Sequence, residues 1–170
     1  MASPKHPKSV WEAAVGCLSR RALTGSELGI RLREKGYAGS EVLEVLEKME
    51  KFGYLNDLEL AITVAQNRLK RYSRRRVLQD LQNRGLAPQV IEQALSSTYS
   101  FDDEIEQCFT LAKRWWVQES KRWEQRIARD GTKNSVPREL WLQQNIARKL
   151  FQRGYPSDMV KNVLDQIQTF

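Results

Sequence analysis

Apolar residues recur in the same order around three glycines, Gly36, Gly85 and Gly154. Relative to each glycine, an apolar residue lies eight and four positions before it and one, six and ten positions after it. Because spacings of this kind are typical of helices, each glycine is predicted to separate two helices. In chain order the apolar residues are Leu28, Leu32, Tyr37, Val42 and Leu46, then Val77, Leu81, Leu86, Ile91 and Leu95, then Ile146, Leu150, Tyr155, Val160 and Leu164.

The residues beside each glycine fit the end of a helix. Glycine adopts the left-handed conformation that closes the last carbonyls, and the residue after it packs onto the leucine four positions before the glycine. A base precedes each glycine, at Lys35, Arg84 and Arg153, where it favours the negative end of the helix dipole. Pro88 and Pro156 fit the first turn of the next helix. Three glycine-stopped helix pairs are therefore predicted.

A further helix is predicted before each pair, because a capping pattern followed by an apolar stripe comes first. The capping pairs are Ser9 with Glu12, Asn56 with Glu59 and Ser100 with Asp103, and Thr24 with Glu27 for the middle helix of the first copy. The stripes expected to be buried are Val10, Ala14, Cys17 and Leu18, then Leu58, Ala61, Ala65, Leu69 and Tyr72, then Ile105, Phe109, Ala112 and Trp116.

These helices predict an all-α fold, a tandem array of three three-helix repeats that is elongated and curved. The repeats are expected at residues 9–54, 55–99 and 100–170, after a disordered tail at residues 1–8. The third repeat is longer than the others by about 25 residues, an insertion near residues 117–136. The stretch VQESKRWEQRIARD is predicted to extend the preceding helix, and DGTKNSVP to form a loop.

The composition argues against catalysis. His6 is the only histidine, and no phosphate-cradling glycine motif is present. Cys17 and Cys108 lie far apart in apolar helical contexts and are expected to be buried, reduced thiols. No stretch reaches the roughly 18 apolar residues of a membrane span, and no secretory signal is seen, so a soluble protein of the cell interior is expected. We expect no catalytic residue, no metal and no cofactor; an enzyme built on the unassigned carboxylates is the residual alternative.

The net charge of +7 is concentrated in the middle of the chain, where residues 66–100 carry seven Lys/Arg against two Asp/Glu. A local basic surface predicts an anionic partner. If Ser73 caps a helix, Arg74, Arg75 and Arg76 occupy its first turn, where the dipole disfavours cations by about 0.3–1 kcal/mol. A phosphate or an acidic partner would explain them; an ordinary solvated face is the alternative. The candidate binding residues are Arg68, Lys70, Arg71, Arg74, Arg75, Arg76 and Arg84.

Bases alternate with tryptophans in KRWW at residues 113–116 and in KRW at residues 121–123. Surfaces that bind single strands use this combination, because nucleobases stack on indoles while cations track phosphates. Trp116 falls on the predicted buried stripe, whereas Trp115 and Trp123 suit either the core or the surface. The candidate contacts with a recombinase or DNA are Lys113, Arg114, Lys121, Arg122 and Trp123.

Three stretches carry a resemblance to a known family: ELGIRLREKGY in the first repeat, GYLNDLELA at residues 53–61, and VLQDLQNRGLAPQVIEQAL in the second repeat. Together with the triplication, they resemble the RecX family, regulatory proteins that restrain the RecA recombinase, from Ser9 to the C-terminus. The family usually has Gly-Tyr-Leu-Asp-Asp followed by Phe-Ala at the junction. Here Asn56 replaces the first acid and Leu60 the aromatic residue, which are mild departures because asparagine also caps helices. The tryptophan-rich insertion is less usual.

The resemblance implies an inhibitory binding protein and not an enzyme, a regulator of homologous recombination and DNA repair in the SOS response. It implies a protein that lies in the groove of a RecA filament and inhibits filament growth, ATPase activity and strand exchange. We expect a cytoplasmic monomer with no membrane partner, or a plastid protein if the source is a plant. Two alternatives stay open: a stand-alone module for single- or double-stranded DNA, and a helical adaptor for an acidic protein unrelated to recombination.

Overall fold

The structure, a computed structural model, describes residues 8–130 and 136–168. All regular elements in this part of the chain are α-helices and none is a strand, so the predicted all-α fold is confirmed. Residues 1–7 of the predicted tail and residues 131–135 of the predicted loop lie outside the described residues. The helices are α1 (Val10–Leu18), α2 (Gly25–Glu34), α3 (Gly39–Lys51), α4 (Asp57–Arg68), α5 (Arg74–Asn83), α6 (Pro88–Thr98), α7 (Phe101–Asp130), α8 (Arg138–Gln152) and α9 (Ser157–Gln168).

The three predicted glycine stops are confirmed. The φ angle is 89° at Gly36, 74° at Gly85 and 88° at Gly154, all in the left-handed region. The residue after each glycine donates its backbone N–H to the carbonyl of the leucine five positions before it, which is the Schellman arrangement. The N···O distances are 3.2 Å for Tyr37 and Leu32, 3.4 Å for Leu86 and Leu81, and 3.2 Å for Tyr155 and Leu150.

The predicted helix starts are confirmed as well. In three capping boxes the cap hydroxyl accepts a backbone N–H three residues later, and the carboxylate there accepts the N–H of the cap. At α4 the Asn56 side chain accepts the Glu59 N–H at 3.0 Å, which is the first half of the same motif. The complete boxes pair Ser9 with Glu12, Thr24 with Glu27 and Ser100 with Asp103.

The insertion extends α7, as predicted, into one helix of 30 residues, about 45 Å long. Its buried face, however, differs from the predicted stripe, because it is centred on Cys108, Ala112 and Trp115. The predicted stripe and the buried face share Ala112, but α8 and α9 pack onto a line that is shifted around the helix by up to about one residue, or about 100°. Three predicted residues are only partly buried at the edge of this face: Ile105, Phe109 and Trp116.

The described residues divide into two compact units. Unit 1 takes in the described residues within Met1–Ala65 and Leu78–Thr98, and unit 2 takes in those within Gln66–Val77 and Tyr99–Phe170. Each unit has its own apolar core. The division crosses the predicted second repeat, so a repeat of the sequence does not coincide with a compact unit, and the repeat limits stay a prediction. Core residues of unit 1 include Leu28, Leu32, Val42 and Met49, and those of unit 2 include Cys108, Trp115, Ile146, Leu150 and Val160.

Candidate functional site

The net positive charge of the chain comes from unit 2. Its sequence ranges include eighteen Lys/Arg against ten Asp/Glu, a net charge of +8, whereas those of unit 1 have ten against eleven, a net charge of −1. All the predicted binding residues except Arg84 belong to unit 2. The candidate site is therefore a surface of unit 2.

The first part of this surface is the segment from Arg68 to Arg76, hereafter the basic turn, which links the end of α4 to the start of α5. Two buried side chains anchor it, since Leu69 is 1% and Ser73 is 0% exposed. Exposed cations lie between these two anchors and directly after the second one. The exposed members are Lys70, Arg71, Arg75 and Arg76, and the half-buried members are Arg68 and Arg74.

An acid of the same chain lies at the start of α5. The buried Glu104 carboxylate of α7 accepts the Arg74 backbone N–H at 2.8 Å, and Arg74 Nη1 donates to the Tyr99 carbonyl at 3.0 Å. The cations in this turn predicted an external anion, but the Glu104 carboxylate already offsets part of their cost within the chain. Arg74 thus contributes to the structure of unit 2, while Arg75 remains exposed beside it.

Arg84 is held within unit 1. Its Nε and Nη2 donate to the two carboxylate oxygens of Glu27 at 3.1 and 2.8 Å, and Nη2 also donates to the Ala22 carbonyl at 3.2 Å. Burial alone would raise the pKa of Glu27, but hydrogen bonds from Arg84 and the Thr24 N–H, and the charges of Arg84 and Arg21, hold that pKa below its ordinary value. Arg84 is thus engaged in a two-pronged ion pair, which limits its contact with a partner.

The second part of the surface lies along α7. Four exposed bases, Lys113, Arg114, Lys121 and Arg122, form what we call the α7 stripe. Arg122 also donates to the buried Glu119 at 2.7 Å. The stripe presents cations spaced along two turns or more of one helix.

The tryptophans between these bases face the protein more than the solvent. Trp115 is 9% exposed and belongs to the core of unit 2, and Trp116 packs partly against the same core. Trp123 is half-buried, with its ring centre 5.6 Å from that of Trp141. Stacking of nucleobases on indoles therefore has little support at Trp115 and Trp116, and the α7 stripe fits phosphates better than nucleobases.

Three charged residues of this region carried little signal in the sequence. Glu119 is 2% exposed and accepts from Lys149 as well as Arg122. Lys149 is half-buried because it reaches this carboxylate and lies 5.6 Å from the centre of the Trp115 ring. Arg153 was predicted only to favour the helix dipole; the base that recurs before each glycine was the one sign of a wider role.

The described residues offer no sign of catalytic chemistry. Across residues 8–130 and 136–168, no group of three or more His, Cys, Asp or Glu side chains is placed to hold a metal ion. Burial, together with the nearby Glu104 charge, raises the pKa of the Cys108 thiol to about 12, so the thiol is a poor nucleophile at neutral pH. None of the described helices combines the length and hydrophobicity needed to cross a bilayer.

Comparison with known proteins relates this chain to one protein family. A family model described as RecX, second three-helix domain, matches residues 56–95. The Regulatory protein RecX of Caldanaerobacter subterraneus is 33% identical over 90 residues, which are 52% of this chain but only 46% of that relative. The Regulatory protein RecX of Trichlorobacter lovleyi is 26% identical over 168 residues, 98% of this chain and all of the relative. The crystal structure of RecX from Lactobacillus salivarius has the same fold, with a TM-score of 0.71 at 19% identity over 95% of this chain and 96% of that one.

Proposed function

Because the chain belongs to the RecX family of regulatory proteins, we propose that it binds the groove of a RecA-type recombinase filament on DNA and inhibits it. The observation that supports this proposal is the charge partition: unit 2 carries a net +8 and exposes both the basic turn and the α7 stripe. DNA brings a dense row of phosphates to such a filament, which attracts a basic surface.

In this proposal the chain is a non-catalytic regulator. A protein held in the groove opposes the addition of recombinase subunits, their ATP hydrolysis and strand exchange, because all three proceed on the occupied filament. The contacts are the exposed cations of the basic turn and the α7 stripe, which read phosphate charge and not base sequence. The regulator acts as a cytoplasmic monomer in recombination and DNA repair.

The test is to add the purified chain, in excess, to recombinase filaments on single-stranded DNA and to follow ATP hydrolysis and filament length together. We expect hydrolysis to fall at least about tenfold and filaments to stop growing, since the groove is occupied along the filament. Hydrolysis and length both unchanged at saturating concentrations would contradict the proposal.

A second candidate function is stand-alone DNA binding, which the exposed cations of the α7 stripe favour. Its distinguishing property is affinity for bare DNA that falls with salt at a slope of about 0.7–0.9 per phosphate contacted. Equal affinity for bare DNA and for recombinase filaments would support this candidate. Preference for filaments by a factor of about ten or more would support filament regulation.

A further inference from the structure

Arg153, at the end of α8, contacts three successive residues of the basic turn. Its backbone carbonyl accepts the Ser73 N–H at 3.0 Å, and its Nη1 donates to the Arg71 carbonyl at 3.2 Å. Its guanidinium carbon lies 4.9 Å from the centre of the Tyr72 ring and 5.7 Å from that of the Trp115 ring. Because Trp115 is buried in the core, this guanidinium joins the basic turn to the core of unit 2.

The next residue brings the backbone of the same helix end onto the start of α5. A Cβ at Gly154 would lie 2.6 Å from Ser73 Oγ and 2.9 Å from Arg76 Cβ, closer than side chains normally approach. The Ser73 hydroxyl in turn accepts the Arg76 N–H at 3.2 Å. Arg153 and Gly154 thus hold both the basic turn and the first turn of the helix that follows it.

Unit 1 contains an equivalent joint made by an earlier copy of the glycine motif. There the Arg84 carbonyl accepts the Thr24 hydroxyl at 2.7 Å, and Arg84 Nη2 donates to the Ala22 carbonyl at 3.2 Å. In both joints the arginine contacts the residue that caps a helix and the carbonyl two residues before it. The two joints differ in the groups that hold the guanidinium. In unit 1 the Glu27 carboxylate holds it, and in unit 2 two aromatic rings hold it.

We propose that Arg153 is a positioning residue, which holds the basic turn in its binding conformation without contacting the partner. The proposal rests on the function proposed above, in which the basic turn is part of the binding surface. The use of rings instead of a carboxylate supports it. A carboxylate facing Arg153, in addition to the buried Glu104, would add negative charge beside cations that the partner needs, whereas aromatic faces hold a guanidinium without adding negative charge.

The experiment compares Arg153→Lys and Arg153→Met with the unaltered chain. Lysine keeps the positive charge but lacks the planar guanidinium, which can stack on aromatic rings and donate a hydrogen bond to a carbonyl at the same time. We expect both variants to bind recombinase filaments on single-stranded DNA about tenfold more weakly, by similar factors. Exchange of the Ser73 and Arg74 amide hydrogens, followed by NMR, should quicken in both variants, while that of Leu28 in unit 1 stays unchanged. Glu27→Gln, which loosens the equivalent joint in unit 1, is the matched control and should bind within about twofold of the unaltered chain.

Two results would overturn the positioning role. The first is full binding by Arg153→Lys together with weak binding by Arg153→Met, because that pattern indicates a direct charge contact with the partner. The second is unchanged exchange of the Ser73 amide hydrogen in both variants. If the Arg153 variants do not fold, Tyr72→Leu removes one supporting ring and should cause a smaller change in the same two measurements; no change in either would contradict the proposal. If the unaltered chain leaves filaments unbound, the proposed function fails, and amide exchange alone decides whether Arg153 holds the turn.

Discussion

At the scale of single residues, two glycines end helices of this chain under different constraints. Gly53 has a φ of 76° with open space where a side chain would lie, so only its backbone conformation requires glycine. Gly154 has a φ of 88° and also lies against Ser73 and Arg76. A side chain at Gly154 must therefore meet both a conformational cost and a steric one.

This difference predicts the effect of alanine at the two positions. Gly53→Ala should lower the free energy of unfolding by roughly 1–2 kcal/mol, the cost of a left-handed conformation. Gly154→Ala should lower it further, by about 1–3 kcal/mol more, because the methyl group overpacks the joint. Urea denaturation of both variants and of Gly39→Ala, a helical site with open space, gives the comparison. Equal losses of unfolding free energy in Gly53→Ala and Gly154→Ala would contradict the prediction, because they would show that Ser73 and Arg76 move aside without cost.

Residue-level features were predictable where the interacting groups lie close in sequence. The glycine stops and capping boxes each depend on residues within about six positions, and the structure has them as predicted. The partners of Arg84 and Arg153 lie up to 62 and 82 positions away, in Ala22 and Arg71. No local pattern specifies such contacts, so the bases before the glycines were interpreted through the helix dipole alone.

At the scale of elements, the start of α2 is tied to the end of α5 through one carboxylate. Glu27 completes the capping box with Thr24 and also holds Arg84. These hydrogen bonds and charges outweigh burial, and the pKa of Glu27 lies below its ordinary value of about 4.5. A carboxyl with a lowered pKa in the folded state stabilises the fold above its unfolded pKa, and the contribution is lost as pH falls through the folded pKa.

Glu27→Gln should therefore destabilise the protein most at pH 7 and progressively less as the pH falls below the unfolded pKa toward the folded pKa, because Glu27 of the unaltered chain then becomes protonated. The measurement is the free energy of unfolding of both proteins at pH 7, 5 and 3. Glu47→Gln, which changes an exposed carboxylate of α3, is the control. A difference between variant and unaltered chain that stays constant from pH 7 to pH 3 would contradict the role given to the Glu27 charge.

Helix α7 shows which element-level properties a sequence specifies. Its continuation through the insertion was predictable, since nothing in VQESKRWEQRIARD interrupts a helix. Its buried face was not predictable, because that face includes the charged Glu119, whereas the apolar Phe109 is only partly buried at its edge. A pattern of apolar residues cannot reveal a buried carboxylate that is paired with Lys149 and Arg122. The burial of Glu119 follows only from the packing of α8, which brings Lys149 to it.

At the scale of the whole molecule, the two units differ in net charge, which is +8 for unit 2 and −1 for unit 1. The sequence located the surplus in residues 66–100, but the structure assigns those residues to both units, and the whole net positive charge falls in unit 2, whose sequence ranges have eighteen of the 28 Lys/Arg residues. The compact units were not predictable from the repeats, because α4 and α5 each contribute to both. The central claim is therefore that unit 2 provides the surface for the anionic filament.

The most direct test of this claim is charge reversal in each unit, read by inhibition of recombinase ATP hydrolysis on single-stranded DNA. Lys70→Glu with Arg75→Glu alters two exposed cations of unit 2, and Arg20→Glu with Lys51→Glu alters two exposed cations of unit 1 by the same total charge. We expect the unit 2 pair to raise the concentration needed for half-inhibition by about tenfold or more, and the unit 1 pair to leave it within about twofold. Equal effects of the two pairs, or full inhibition by the unit 2 pair, would contradict the claim.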